Sequence, residues 1–165
     1  MNWDQYFMSM AFLIAMKSKD LSTQIGAVIV DNKNRIVGTG YNGFVSGSIE
    51  SEERWSKPEK YEWVIHAEVN SILNATKDLD SCVMYTNGVP CLQCATKIAQ
   101  VGIKEVVVDY VWDAANYNQW LESAQKTKQL FEECGIKIRY YKDELITEIV
   151  LRRNGKSWQV KRRER

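Results

Sequence analysis

Residues 3–17 place Tyr6, Phe7, Met10, Leu13 and Ile14 at spacings of three and four, the period of an amphipathic helix, so a helix is predicted to open the chain. Residues 25–30 form a short apolar run, Asp31-Asn32-Lys33-Asn34 supplies a turn, and residues 36–41 form a second run, which together predict a β-hairpin. Residues 42–60 carry Asn42-Gly43, Ser46-Gly47-Ser48 and Pro58-Glu59-Lys60 without a clear period and predict a long loop. Long loops in compact domains are usually functional. Beyond it, Ala67, Ile72 and Leu73 mark a helix over 66–75, and residues 81–86 read as a strand. A helix over 91–101 capped by Gly102, a strand over 105–109, a helix over 118–134 ended by Gly135 and a last strand over 136–141 complete the pattern. Strands alternating with helices after a hairpin predict an α/β fold: a mixed, mostly parallel central sheet with helices on both faces.

Length fits this pattern to one core, because 165 residues bury a good core without room for a second domain and its linker. One domain over 1–150 is expected, followed by a tail over 151–165 rich in Arg and Lys, either frayed or a basic surface strand. Hydrophobic residues at 45% and charged residues at 26% are ordinary globular proportions. A net charge of +1 provides no whole-molecule field to draw in nucleic acid or an anionic membrane, so local patches must carry any anion binding. The apolar N-terminal segment contains Asp4 and lacks a basic flank and a small-residue cleavage site, so no signal peptide is expected. No apolar run is long enough to span a bilayer, and a cytoplasmic location without a membrane partner is expected. In that reducing setting the four cysteines are more naturally ligands, nucleophiles or core residues than a disulfide framework. Cys91 and Cys94 make a C-x-x-C, whereas Cys82 and Cys134 stand alone in apolar segments.

His66-Ala67-Glu68 begins one predicted helix and Pro90-Cys91-Leu92-Gln93-Cys94 begins another, each just after an extended segment. A helix N-terminus presents free N–H groups and positive potential, which favours a thiolate and so prepares a zinc ligand. His66 is the only histidine, so a site made of it and the two thiolates leaves a fourth position open. Three protein ligands and an open position are the arrangement of a catalytic zinc. Glu68, at a helix end that views the metal head-on, can sit beside the reacting water as a general acid and base. The other reading of these residues is a structural zinc completed by Cys82 or Cys134, with Glu68 a solvated first-turn carboxylate.

An H-x-E followed by P-C-x-x-C is the signature of zinc nucleobase deaminases. The similarity extends through Lys17-Ser18-Lys19-Asp20, Thr23-Gln24-Ile25-Gly26-Ala27-Val28-Ile29-Val30, Gly38-Thr39-Gly40-Tyr41-Asn42-Gly43, the run 60–68 and the run 99–106, all of which resemble deoxycytidylate deaminases. The resemblance covers about 12–140. It implies a cytidine-deaminase-like three-layer α/β/α fold around a mixed five-stranded sheet, and Zn2+-dependent hydrolytic loss of the cytosine amine, with dCMP as the substrate. It also implies a homo-oligomer and dCTP or dTTP as effectors. By position, Glu68 is the proton shuttle, His66, Cys91 and Cys94 are the metal ligands, Asn42 holds the substrate sugar and the Ala67 N–H meets the base carbonyl. Ser18, Lys19 and Thr23 are candidates for phosphate or effector contact. Each has a plainer reading: Asn42-Gly43 is also a turn dipeptide, and Lys17 with Lys19 also suits a helix C-terminus. Alternative substrates are dCTP, a 5-substituted dCMP, free cytidine, or a cytosine or adenine in nucleic acid, the last disfavoured by the net charge. A non-catalytic zinc-stabilised binding module is the alternative from another class. A second, structural zinc, which some members carry, has no second histidine to hold it here, and residues 143–165 do not fit the family pattern.

Overall fold

The computed structural model describes residues 1–159, excepting the side chains of 116–120, 153 and 158. Helix α1 (Trp3–Ala15) starts where the Asn2 side chain accepts the Gln5 N–H at 2.8 Å, an N-cap that satisfies one of the first-turn donors. The predicted hairpin is β1 (Gly26–Val30) with β2 (Ile36–Tyr41), paired antiparallel from Gly26 opposite Tyr41. The predicted loop over 42–60 contains short elements instead: β3 (Gly43–Phe44) and α2 (Glu52–Trp55), with α3 (Lys60–Trp63) straddling its end and β4 (Val64–Ile65) pairing back onto β3. Stacking of Phe44 on Trp55 and of the Arg54 guanidinium on Trp63 packs this segment with its own side chains.

Helix α4 (Ala67–Leu73), β5 (Val83–Thr86), α5 (Leu92–Gln100), β6 (Glu105–Asp109), α6 (Tyr110–Glu133) and β7 (Lys137–Tyr141) follow. The five-stranded sheet has the order β2-β1-β5-β6-β7, with β1 antiparallel to both neighbours and β5, β6 and β7 mutually parallel. Four strands thus share a direction, while only two of the four ladders are parallel, so the expected mixed sheet is present and "mostly parallel" describes its strands better than its pairings.

Alternating side chains divide the core between the two faces. Ile29, Met84, Val106 and Val108 pack with Ala95 and Ile98 of α5 and Phe131 of α6, and Ile72 of α4 lies against them. Val28, Val30, Tyr85 and Val107 pack with Phe7, Met8 and Ala11 of α1 on the opposite face. The buried stripe of α1 is therefore Phe7, Met8, Ala11 and Ala15, and Leu13, which the spacing placed inside, is exposed. Two alanines in that stripe let the helix backbone lie directly on the strand: a Cβ on Gly26 would stand 2.1 Å from the Ala11 carbonyl oxygen.

Helix α4 runs along β2 in the same close manner, since a Cβ on Gly40 would stand 2.3 Å from Ser71 N and one on Gly38 2.4 Å from Ser71 O. The Asn70 and Asn74 amides of α4 donate to the β2 carbonyls of Tyr41 and Thr39 at 2.8 and 3.1 Å, and the Thr76 N–H donates to that of Val37 at 2.9 Å. Helix α6 begins eight residues before its predicted start, because Asp109 ends β6 and its carboxylate accepts the Trp112 N–H at 2.7 Å as an N-cap. Gly102 and Gly135 follow α5 and α6 with φ of +79° and +66°, the left-handed conformation expected of helix-ending glycines. The segment read as a basic tail begins as a hairpin, β8 (Val150–Arg153) with β9 (Lys156–Gln159), and residues 160–165 lie outside the described residues. Among the described residues no helix is long and apolar enough to cross a membrane.

Candidate active site

His66 and Cys91 are the N-cap residues of α4 and α5, both with extended backbone, so each side chain stands at a helix mouth rather than on a flank. Cys94 lies in the first turn of α5 and is buried. His66 Nδ1 is 3.4 Å from Cys91 Sγ and 3.3 Å from Cys94 Sγ, and the three donor atoms all lie within 4.8 Å of one another. A tetrahedral zinc with its usual bond lengths would hold such donors roughly 3.5–3.8 Å apart, so this set needs almost no adjustment. Among the described residues it is the single cluster of this kind, and neither Cys82, buried in the sheet core, nor Cys134, exposed at the end of α6, joins it.

The protonation chemistry of the trio also fits a cation. Hydrogen bonding to Cys94 and to His66 draws the Cys91 thiol down to about 4, against the burial that opposes it. The same hydrogen bond to Cys91, with burial, pushes the Cys94 thiol up. His66 is raised to about 8, chiefly by its bond to Cys91. Two sulfurs and an imidazole are thus sharing protons that a divalent cation would replace. Glu68, 5% exposed in the first turn of α4, is raised by burial, while the His66 charge and its own backbone N–H pull the other way.

His66, Ala67, Glu68 and Cys91 line one cavity of about 150 Å³, and Cys94 lies just behind them in the donor cluster. Asp20, Thr23, Ile25, Asn42, Lys57, Lys60 and Tyr61, from the 20–25 and 57–61 segments and the position after β2, also line it, as do Val89, Pro90, Trp112, Asp113 and Ser123. The Ala67 N–H belongs to the first turn of α4, where backbone donors have no intrahelical partner. Asn42 is buried, with Oδ1 accepting from Ile25 N at 2.8 Å and Nδ2 donating to Thr23 O at 2.9 Å, so it fixes the strand entry that forms the wall. Thr23 is among the residues that line the cavity.

Ser18 and Lys19 do not line it. The buried Ser18 hydroxyl donates to the Asn42 carbonyl at 2.7 Å, and Lys19 points to solvent, where its ammonium pairs with Glu50 at 3.0 Å. The residues that sequence reasoning missed are Asp20, Lys57, Lys60, Trp112, Asp113 and Ser123. Asp109 before an apolar run was a readable N-cap signal for the start of α6, and hence for Trp112 and Asp113. The Asp20–Lys60 pair joins residues forty apart, and no local pattern announces it.

A family described as the cytidine and deoxycytidylate deaminase zinc-binding region matches residues 1–110. The deoxycytidylate deaminases of Homo sapiens and Pongo abelii are each 38% identical over 148 residues, covering 86% of this chain and 80% of their own. The dCMP deaminase of cyanophage S-TIM5, solved with dCMP and dUMP, has a TM-score of 0.64 at 23% identity over 83% of this chain and 95% of its own, which supports the fold.

Proposed function

Because this chain belongs to the cytidine and deoxycytidylate deaminase family, we propose that it hydrolyses the exocyclic amine of dCMP, giving dUMP and ammonia. Two supports come from relatives: two that are 38% identical are named deoxycytidylate deaminases, and a fold neighbour holds dCMP and dUMP. The observation that carries the reading is the convergence of His66, Cys91 and Cys94 as one donor cluster, with His66, Cys91 and the buried carboxylate of Glu68 lining one cavity.

Zinc held by the trio would supply Lewis acidity, which makes water nucleophilic near neutral pH. Glu68 takes a proton from the water that adds to C4 of the base and passes it to N3, then takes the proton of the new C4 hydroxyl and gives it to the amine as the C4–N bond breaks and the C4 carbonyl forms. Its buried position keeps bulk water from intercepting those protons. The Ala67 N–H orients the ring through its carbonyl oxygen. Asn42 Oδ1 has one lone pair committed to Ile25 N and a second for a sugar hydroxyl, so one side chain both shapes the wall and meets the substrate.

The catalytic unit in this reading is residues 1–150, acting in the cytoplasm as a homo-oligomer open to regulation by dCTP or dTTP. A monodisperse monomer in light scattering would refute the assembly. The decisive assay is ammonia release by purified protein from dCMP, dCTP, deoxycytidine, CMP and a single-stranded oligonucleotide. dCMP should be turned over best. Zinc-loaded protein that releases no ammonia from any of them would instead be a binding module.

A further inference from the structure

A nucleotide whose base reacts beside Glu68 must direct its phosphate away from the buried floor, toward the rim. The floor residues Ala67 and Glu68 are buried, whereas Ser22, Lys57 and Tyr61 of the lining are exposed. The phosphate therefore emerges between the 20–25 segment and the 57–61 segment.

Two lysines line that side, and their states differ. Lys60 Nζ donates to Asp20 Oδ1 and Oδ2 at 3.0 and 2.8 Å and to Ser22 Oγ at 2.6 Å. An ammonium has three N–H groups, so its donors are fully used. Side-chain exposures of 7% and 5% for Lys60 and Asp20 show the pair to be internal, and recruiting Lys60 to a ligand would strand a buried carboxylate. Its charge is spent on holding the wall, since Asp20 also accepts from the N–H groups of Ser22 and Thr23 and from Asn42 Nδ2.

Nearby cations are committed as well. Lys19 pairs with Glu50, and Arg54 donates to Ile49 O and lies over Trp63. Asp113, also in the lining, adds negative charge there and accepts from Val89 N at 3.2 Å. Lys57 is exposed, lines the cavity, and has no hydrogen-bond or ion-pair partner among the described residues.

We propose that Lys57 receives the 5′-phosphate of the substrate and makes the enzyme select nucleotide over nucleoside, an inference that rests on the deaminase reading above. The contact is a charge-assisted hydrogen bond at a solvent-facing rim, so its loss should cost about tenfold to a hundredfold in affinity, and salt should screen it.

The test compares wild type, Lys57→Ala and Lys57→Arg on dCMP and deoxycytidine, with calorimetric titration of dUMP and deoxyuridine. Lys57→Ala should lower the dCMP-to-deoxycytidine ratio of kcat/KM about tenfold or more, mainly through KM, and flatten the salt dependence of dCMP turnover. Lys57→Arg should restore most of the loss. Equal losses on nucleotide and nucleoside, or none, would overturn the assignment. Wild type that fails to deaminate dCMP would overturn the functional reading instead. Lys57 would then be judged by titration alone: dUMP must lose affinity and deoxyuridine must not.

Discussion

Glu68 is a carboxylate that the fold has buried next to three metal-type donors, an expensive arrangement unless its proton is used. Glu68→Gln keeps the shape and removes the shuttle, so turnover of dCMP should fall by roughly 10²–10⁴ while zinc stays bound at one per chain. Ammonia release and metal analysis on the same preparation check both halves. Retained turnover would assign proton transfer to another group. At this scale His66, Glu68, Cys91 and Cys94 were legible because their spacing is local and their chemistry narrow. Ser18 and Lys19 are the opposite case: a hydroxyl and an ammonium suit phosphate anywhere, and only the folded chain shows one turned inward to Asn42 and the other outward to Glu50.

Among the elements, β2 and α4 are the pair that sets the geometry of the proposed site, because α4 carries Glu68 and rests its backbone on Gly38 and Gly40. Gly40→Ala would place a methyl 2.4 Å from the Ala67 carbonyl oxygen, one residue from Glu68. Backbone cannot yield as a flexible side chain can, so the variant should be destabilised by about 1–3 kcal/mol and should also lose activity. Urea unfolding monitored with kcat/KM tests this, and a stable, fully active variant would mean that α4 can shift freely. The strands were readable as apolar runs, and the ends of α5 and α6 as glycines. The buried stripe of α1 was misjudged because periodicity counts large apolar residues, whereas close contact with Gly26 selects the small Ala11 and Ala15. The elements inside 42–60 escaped notice since each is four residues or shorter, too short to show a period, and the Phe44–Trp55 stacking that holds them spans eleven residues.

For the whole molecule, charge is unevenly spread: residues through 150 hold fifteen basic against twenty acidic groups, and the remainder seven against one. Within the acidic body, Arg139 forks onto Asp4 at 2.6 and 3.0 Å and reaches Glu105 at 2.7 Å, joining α1 to β6 and β7. The bond from Arg139, aided by the Tyr85 hydroxyl, holds Asp4 below its ordinary 3.8. Burial would raise Asp20, but bonds from Lys60 and two backbone N–H groups outweigh it and hold this carboxyl low too. A depressed folded pKa adds stability above the unfolded value and loses it as pH falls through the folded one. Asp4→Asn should therefore lower Tm at pH 7, and the gap to wild type should shrink below pH 3.8. A gap that stays constant across that range would assign Asp4 a packing role only.

The asparagine amides laid along β2 have a consequence for how copies of the chain meet. A sheet edge normally displays unpaired carbonyls that invite a strand from another molecule. Here Asn70 and Asn74 imitate the N–H groups of a missing strand, so the Tyr41 and Thr39 carbonyls are already taken and an incoming strand would have to displace both amides to pair with them.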